Sequence, residues 1–313
     1  MTDDIPKIRL GTRASRLALS QVAEVSILIS DFFPQIKIEI VPITTSGDKI
    51  LNRNLAEIGG KGLFIKELEE ALIQNKIDVA VHSAKDVPPI IHDQTIIGAF
   101  TPRNDARDCF VSKKFDNFKK LPKGAVIGTS SVRRKAFLLR YRPDLQVVNF
   151  RGNIDTRLNK IDENEVDAII LAVSGLVRLA KEQHIKEVLD ENKFIPAGGQ
   201  GALALQIRKN DHKLTEILSK INDEISFITI KTERAFLRQL NASCSTPIGV
   251  YSYIKNNKLH LKIALINYDG TEIYEKIFTS KVNLDDGIKL GIEASNDCKK
   301  NALNLLKKIG CIV

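Results

Sequence analysis

The sequence predicts an α/β protein: two α/β domains around a cleft, followed by a small α+β C-terminal domain. The residues themselves carry three parts of this. Short apolar runs alternate with helical segments along most of the chain, the pattern of sheets covered by helices. That alternation runs through twice, which points to two domains with a ligand cleft between them. The remainder reads as strands joined by hairpin signals.

In order, Ile8 to Gly11 reads as a strand and Ser15 to Ser30 as a helix. Ile36 to Ile43 is a strand. Lys61 to Asn75 is a helix, because Phe64, Leu68, Ala71 and Leu72 recur at helical spacing. Asp78 to His82 and Thr95 to Phe100 are strands. The second set comprises Ala125 to Thr129 (strand), Val132 to Tyr141 (helix), Leu145 to Phe150 (strand), Thr156 to Glu163 (helix) and Ala168 to Val173 (strand). Such alternation indicates parallel sheets. A helix near Ile225 to Leu240 opens the last part. Strands at Val250 to Ile254, Leu259 to Ile266 and Glu272 to Lys281 follow, with Asn256-Asn257 and Asp269-Gly270 as turn signals. A final helix runs from about Asp286 to Lys308.

Composition narrows the class. Hydrophobic residues are 43% and charged residues 27%, a globular balance that excludes wholesale disorder. The start, Met-Thr-Asp-Asp-Ile-Pro-Lys, lacks the basic and apolar regions of an export signal. No apolar run approaches the ~18 residues of a membrane span. A cytoplasmic protein with free thiols is expected, since Cys109, Cys244, Cys298 and Cys311 form no CxxC pair or zinc cluster. His82, His92, His184, His212 and His260 have no metal-ligand spacing, so no metal site is expected. The net charge of +9 implies affinity for nucleic acid, phosphate or polycarboxylates. A nucleic-acid surface would interleave basic residues with aromatics, and this sequence shows little of that.

The arginines are concentrated. In Gly128-Thr-Ser-Ser-Val-Arg-Arg-Lys135 a strand ends, hydroxyl residues follow and a helix begins. Ser130 or Ser131 can cap that helix, leaving N–H groups that favour an anion. Arg133 and Arg134 stand in its first turn, where positive charge opposes the helix dipole. Residues that work against local stability are candidates for function. With Arg151 and Arg157 they point to carboxylate or phosphate binding. Arg140 and Arg142 read as a solvated face.

Lys85 and Asp86 follow the strand at Asp78 to His82, on the side where α/β sheets bind ligands. Spacing alone favours a loop salt bridge for them. Thr44-Thr-Ser-Gly-Asp-Lys49 and Gly59-Gly-Lys-Gly62 bracket a loop able to act as a hinged lid. The latter lacks the full P-loop pattern. Cys244 lies among turn formers, Asn241, Ser243, Ser245, Pro247 and Gly249, an unusual place for a residue that is normally buried.

Seven motifs in register resemble the porphobilinogen deaminase (hydroxymethylbilane synthase) family. They are Ile8-Arg-Leu-Gly-Thr-Arg-Ala-Ser15, Gly59-Gly-Lys-Gly-Leu-Phe64, His82-Ser-Ala-Lys-Asp-Val-Pro88, Gly128-Thr-Ser-Ser-Val-Arg-Arg134, Phe150-Arg-Gly-Asn153, Pro196-Ala-Gly-Gly-Gln-Gly201, and Cys244 with Pro247-Ile-Gly249. The resemblance covers nearly the whole chain. It departs from the family's pattern at Ala84, Glu57 and Ala242.

The resemblance implies a transferase of haem and tetrapyrrole biosynthesis. Such an enzyme joins four porphobilinogen units with loss of ammonia and releases hydroxymethylbilane. It implies a dipyrromethane cofactor held on Cys244 by a thioether. Asp86 would be catalytic and also touch the cofactor, with Lys85, Thr129, Ser131, Arg133 and Arg134 holding its carboxylates. Arg13, Ser15, Arg151, Arg157, Lys61 and Gln200 would bind incoming substrate. The implied fold is two periplasmic-binding-protein-like α/β domains around a cleft, 1–101 with 201–221 and 102–200, plus a small α+β C-terminal domain, 222–313, in a monomer. A non-catalytic two-lobed solute binder would suit the fold, but the missing export signal and the loop cysteine argue against it.

Overall fold

The computed structural model describes residues 7–46 and 65–311. The chain divides into two compact units, Met1–Asn104 with Ala202–Phe227, and Asp105–Gly201 with Ile228–Val313.

In the first unit, β1 (Lys7–Arg13) leads into α1 (Arg16–Phe32), β2 (Lys37–Ile43), α2 (Lys66–Ile73), β3 (Val79–Ser83) and β4 (Thr95–Phe100). The chain returns as β10 (Leu203–Arg208) and α6 (His212–Ile221). The sheet order is β2-β1-β3-β10-β4. Helix α1 forms because Ala18, Val22, Val25 and Ile29 recur on one stripe, and Ser15 caps it by accepting the Ala18 N–H. That stripe packs with Leu214, Ile217 and Leu218 of α6 against Ile8, Leu10, Val81 and Leu205 of the sheet. The opposite sheet face is covered by Leu68, Ala71 and Leu72 of α2 over Ile77 and Ala80.

The second unit holds β5 (Asp108–Val111), β6 (Val126–Gly128), α3 (Val132–Tyr141), β7 (Gln146–Val148), α4 (Ile154–Asp162), β8 (Ala168–Ala172), α5 (Val173–Arg178) and β9 (Glu187–Val188). Their order is β7-β6-β8-β5-β9. Strand β8 is buried throughout. Its Ile169 and Leu171 meet Leu158 and Ile161 of α4, while Ala168 and Ile170 meet Ala136 and Phe137 of α3. The third sheet, β11 (Ile248–Lys255), β12 (Lys258–Ile266) and β13 (Ile273–Ser280), is an antiparallel meander. Helices α7 (Glu224–Gln239), α8 (Leu284–Asn301) and α9 (Leu303–Lys308) accompany it, and the boundary between the units falls inside α7. Phe236, Leu261, Ile263, Leu290 and Ala294 lie in its core. Burying each large apolar side chain contributes about 1.5–3 kcal/mol.

The α/β class and the extra C-terminal sheet with helices are as the sequence predicts. Two expectations change. The sheets are mixed rather than parallel. Strand β10 is antiparallel to β3 and β4, and β5 is antiparallel to β8 and β9. The reason is the point of entry. Leu203 pairs with Ser83 and Asp108 pairs with Ala172, so each strand starts at its neighbour's carboxyl end and runs back. The single final helix is in fact two. Ala302 interrupts it with φ −134°, ψ 29°, the N–H of Ala302 bonding Cys298 O. Asn256 and Asn257 both have positive φ, as the predicted two-residue hairpin turn requires.

Candidate active site

In the first unit, the carboxyl ends of β1 and β3 and the start of α1 enclose a small pocket. It is lined by Arg13, Ser15, Gln21, Ile65, His82, Ser83 and Asp86, among others. Arg13 ends β1. Asp86 closes the single 3-10 turn Ala84–Asp86 that leaves β3. The turn is pinned by Ala84 N–H donating to Ala202 O at 3.0 Å, so β10 fixes where Asp86 emerges. Lys85 sits beside it, half-buried. Gln21 Nε2 donates to Ser83 Oγ at 2.8 Å and ties α1 to the same edge. The structure therefore groups three of the sequence-predicted residues, Arg13, Ser15 and Asp86. Lys61, the lid loop and the Gly59–Gly62 stretch lie outside the described residues.

In the second unit, β6 ends at Gly128 and α3 begins after Ser131. Ser131 Oγ accepts the Arg134 N–H, and Thr129 Oγ1 accepts the Ser131 N–H at 3.2 Å. Of the two serines read as possible caps, Ser131 is the one used. Arg133 and Arg134 turn inward and are buried. Their partner is Asp108, the first residue of β5. Its Oδ2 lies 2.8 Å from Arg133 Nη2, and its Oδ1 accepts Arg134 Nε at 3.1 Å and Nη2 at 2.8 Å. Arg133 Nη1 donates to Ile195 O at 2.7 Å and Arg134 Nη1 to Ile170 O at 3.0 Å.

Burial alone would push the Asp108 carboxyl upward. The two guanidiniums outweigh that, with Gln200 assisting, and hold it well below the usual carboxylate range. Gln200 is fully buried. Its Nε2 donates to Ala106 O at 2.6 Å and to Asp108 Oδ1 at 2.9 Å, so both amide hydrogens are committed.

Arg157, on α4, donates Nε to Gly152 O at 2.8 Å. Burial, and then the nearby charges of Arg134 and Arg151, bring its guanidinium down to about 10. A depressed arginine signals surplus positive charge in a poorly solvated place. A ligand with several carboxylates relieves that surplus, and guanidinium donors match carboxylate geometry. Arg142 is paired with Asp144 and Arg140 donates to Thr271 O, in keeping with the reading of both as outside the anion site.

Cys244 is exposed, in the turn between α7 and β11. Thr246 N–H donates to Ser243 O at 3.0 Å and Ser243 N–H to Thr246 Oγ1 at 3.1 Å, so the turn closes around the cysteine. The other three cysteines are buried. Burial pushes the thiols of Cys109 and Cys298 up to about 12 and that of Cys311 to about 11, which leaves them inert at neutral pH.

The segment after the turn is fitted to the loop that Arg133 holds. Gly249 lies so close that an added Cβ would stand 2.9 Å from Ile195 O, and Val250 N–H donates to Pro196 O at 2.9 Å. Buried Glu233 on α7 joins the same assembly, accepting Gly199 N–H at 2.6 Å and Ser252 N–H at 2.7 Å.

Sequence reasoning missed Asp108 and Glu233. Each is an acid in a segment with no motif of its own. The only available signal for Asp108 was the need of two buried arginines for a counter-charge.

A family model described as porphobilinogen deaminase, dipyromethane cofactor binding domain, matches residues 8–216, and one for the C-terminal domain matches 227–300. The chain is 48% identical over 289 residues to a porphobilinogen deaminase of Rickettsia bellii (strain OSU 85-389), covering 91% of this chain and 96% of that one. It is 45% identical over 298 residues to a porphobilinogen deaminase of Wolbachia sp. subsp. Drosophila simulans (strain wRi), covering 95% and 99%. Among solved structures, the Bordetella pertussis BvgS periplasmic VFT2 domain is similar at a TM-score of 0.42 and 15% identity, over 70% of this chain and 87% of that one. That likeness is too loose to add to the assignment.

Proposed function

This chain belongs to the porphobilinogen deaminase family, and on that premise we propose how its residues divide the work. The enzyme is a transferase that joins four porphobilinogen units with loss of ammonia, on a dipyrromethane cofactor, and releases hydroxymethylbilane by hydrolysis. The donor set of the second unit fits a dipyrromethane, because its buried guanidiniums carry surplus positive charge and the cofactor's side arms are carboxylates. When bound, that group supplies the pyrrole carbon to which the first substrate unit is joined.

Cys244 tethers the cofactor through a thioether. Its exposure on a turn supports this, as does the inertness of the three buried thiols. Arg133, Arg134, Thr129, Ser131 and Lys85 hold the cofactor's carboxylates. Asp108 keeps the two arginines aimed while leaving them a net positive charge, and Gln200 acts by holding Asp108. Arg13, Ser15, Arg151 and Arg157 receive the acetate and propionate arms of incoming substrate, and Lys61 is assigned to it on resemblance alone. Each charge-assisted hydrogen bond is worth about 1.5–3 kcal/mol, enough to place a ring and still let it move on.

Asp86 is the catalytic carboxylate. It accepts pyrrole N–H groups, stabilises positive charge that develops as ammonia leaves, and moves protons at its carboxyl oxygens. The chain works as a monomer of three domains in the cytoplasm. No helix among the described residues is long and apolar enough to cross a membrane.

The observation that carries this reading is the pair Arg133 and Arg134 on one buried acid, with Arg157 near enough to Arg134 to feel its charge. Mass spectrometry of the purified, active protein tests it. The peptide containing Cys244 should carry two pyrrole units. An unmodified Cys244 in active protein would sink the proposal.

A further inference from the structure

The hairpin between β12 and β13, residues 267–272, is built more firmly than a surface turn requires. It lies wholly in the second unit, and most of it is exposed. Asn267 Oδ1 accepts the Glu272 N–H at 2.9 Å, and Asn267 Nδ2 donates to Thr271 Oγ1 at 2.9 Å. Asp269 Oδ1 accepts the Thr271 N–H at 2.9 Å and the Thr271 hydroxyl at 2.6 Å. Side-chain bonds of this kind hold a turn in one shape. The two sides of the tip are seated on different neighbours. On one side Gly270, with φ 77°, lies against α3. An added Cβ there would stand 2.5 Å from Arg140 N and 2.6 Å from Ala136 O. Arg140 Nη1 donates to Thr271 O at 3.2 Å at the same contact. On the other side the Tyr268 hydroxyl lies 3.3 Å from Ser245 O and 3.2 Å from Ile309 O, one proton shared between two carbonyls.

Ser245 follows Cys244 in the chain. The helix under Gly270 is the one capped by Ser131, with Arg133 and Arg134 in its first turn. The hairpin therefore runs from the tether to the helix assigned to the cofactor's carboxylates. A primer fixed at one end by a thioether and at the other by guanidiniums is aligned only while the two anchors keep their spacing. Rates fall steeply when reacting groups are misplaced. We propose that the 267–272 hairpin is a spacer that sets the Cys244 turn against α3, with Tyr268 as its positioning residue. Tyr268 acts through the Ser245 backbone and not on the reacting atoms. This deepens the reading of Cys244 as the tether and rests on it.

Cofactor loading tests it. Full-length protein made in cells unable to form porphobilinogen starts without cofactor. Porphobilinogen is then added, and intact mass follows the gain of two pyrrole units, located on the Cys244 peptide. Tyr268→Phe keeps the ring and removes only the hydroxyl. Its loading rate constant should fall roughly three- to tenfold, the worth of one neutral hydrogen bond. Alkylation of Cys244 by iodoacetamide needs no alignment with α3, and in the same variant it should run at least as fast as in wild type. The other three cysteines are buried and do not compete. A rate constant does not depend on how much of the protein is folded, so a merely structural tyrosine would lower the amplitude of loading and leave its rate. That result overturns the proposal, as does alkylation slowed in step with loading. Should Tyr268→Phe not fold, Arg140→Ala loosens the hairpin from its α3 side and should slow loading likewise, and an unchanged rate there overturns the proposal equally. A wild-type protein that gains no mass at Cys244 would instead remove the tether reading itself, and the spacer with it.

Discussion

Asp108 and Arg133 face each other across 2.8 Å, the carboxylate fully buried and the guanidinium 5% exposed, and Arg134 grips the same carboxylate from its other oxygen. The acid begins β5 and the arginines open α3, so one ionic cluster binds strand to helix and keeps one net positive charge.

Replacing Asp108 with Asn leaves two buried arginines without their counter-charge. A loss of about 3–5 kcal/mol in unfolding free energy is expected. The pH dependence gives the sign. The folded-state carboxyl is held below its unfolded value, so its stabilisation is complete above the ordinary carboxylate pKa of about 4 and is lost as pH falls below it. Urea unfolding of wild type from pH 7 to 3 should therefore fall more steeply than that of Asp108→Asn. Parallel curves would contradict the assignment.

Asp86→Asn should fold normally, since Asp86 is half-buried at the pocket edge. Its turnover of porphobilinogen should drop on the order of 100-fold or more, the usual scale for a lost proton-transfer group. Rates within a few-fold of wild type would end its catalytic role.

Arg157→Gln should make the cofactor-free protein more stable while weakening substrate handling. The guanidinium is brought down to about 10 by burial and by Arg134 and Arg151, so its charge opposes folding at neutral pH and is relieved only as pH rises past that value. A higher thermal midpoint together with a higher KM is the expected pair. A lower midpoint would identify Arg157 as structural.

Gly249→Ala forces a Cβ to within 2.7 Å of the Ile195 side chain and 2.9 Å of its carbonyl oxygen. Overpacking of this kind costs about 1–3 kcal/mol. Because Arg133 donates to that carbonyl, the variant should also lose cofactor more readily on mild denaturation, as read by intact mass. Destabilisation with unchanged cofactor retention would show that the strain stops at Ile195.

Much of this was legible in the sequence where one segment carries its own signal. The 18, 22, 25, 29 stripe of α1, a cap at Ser130 or Ser131 and the Asn256-Asn257 turn depend only on neighbours along the chain. The direction of β10 and β5 was not legible, because strand polarity is set by where the chain re-enters a sheet. Asp108 was hidden for a related reason. It precedes the arginines it serves by a full strand and loop, and only folding brings them within 3 Å. The site followed the same rule. Motif residues such as Asp86, Arg133 and Arg134 were found, whereas Asp108, which holds the two arginines, and Glu233, which holds the Gly199 and Ser252 backbone, were not.

Strand β10 lies between β3 and β4, yet it is synthesised long after both. While a ribosome makes the residues separating Phe100 from Leu203, at about 5–20 residues per second, the nascent sheet waits roughly 5–20 s with a central place empty. During that interval β3 and β4 expose unpaired backbone edges to other chains. Newly made protein is therefore most vulnerable to aggregation before its last third emerges, and a chaperone able to shield bare strand edges should raise the yield of folded enzyme.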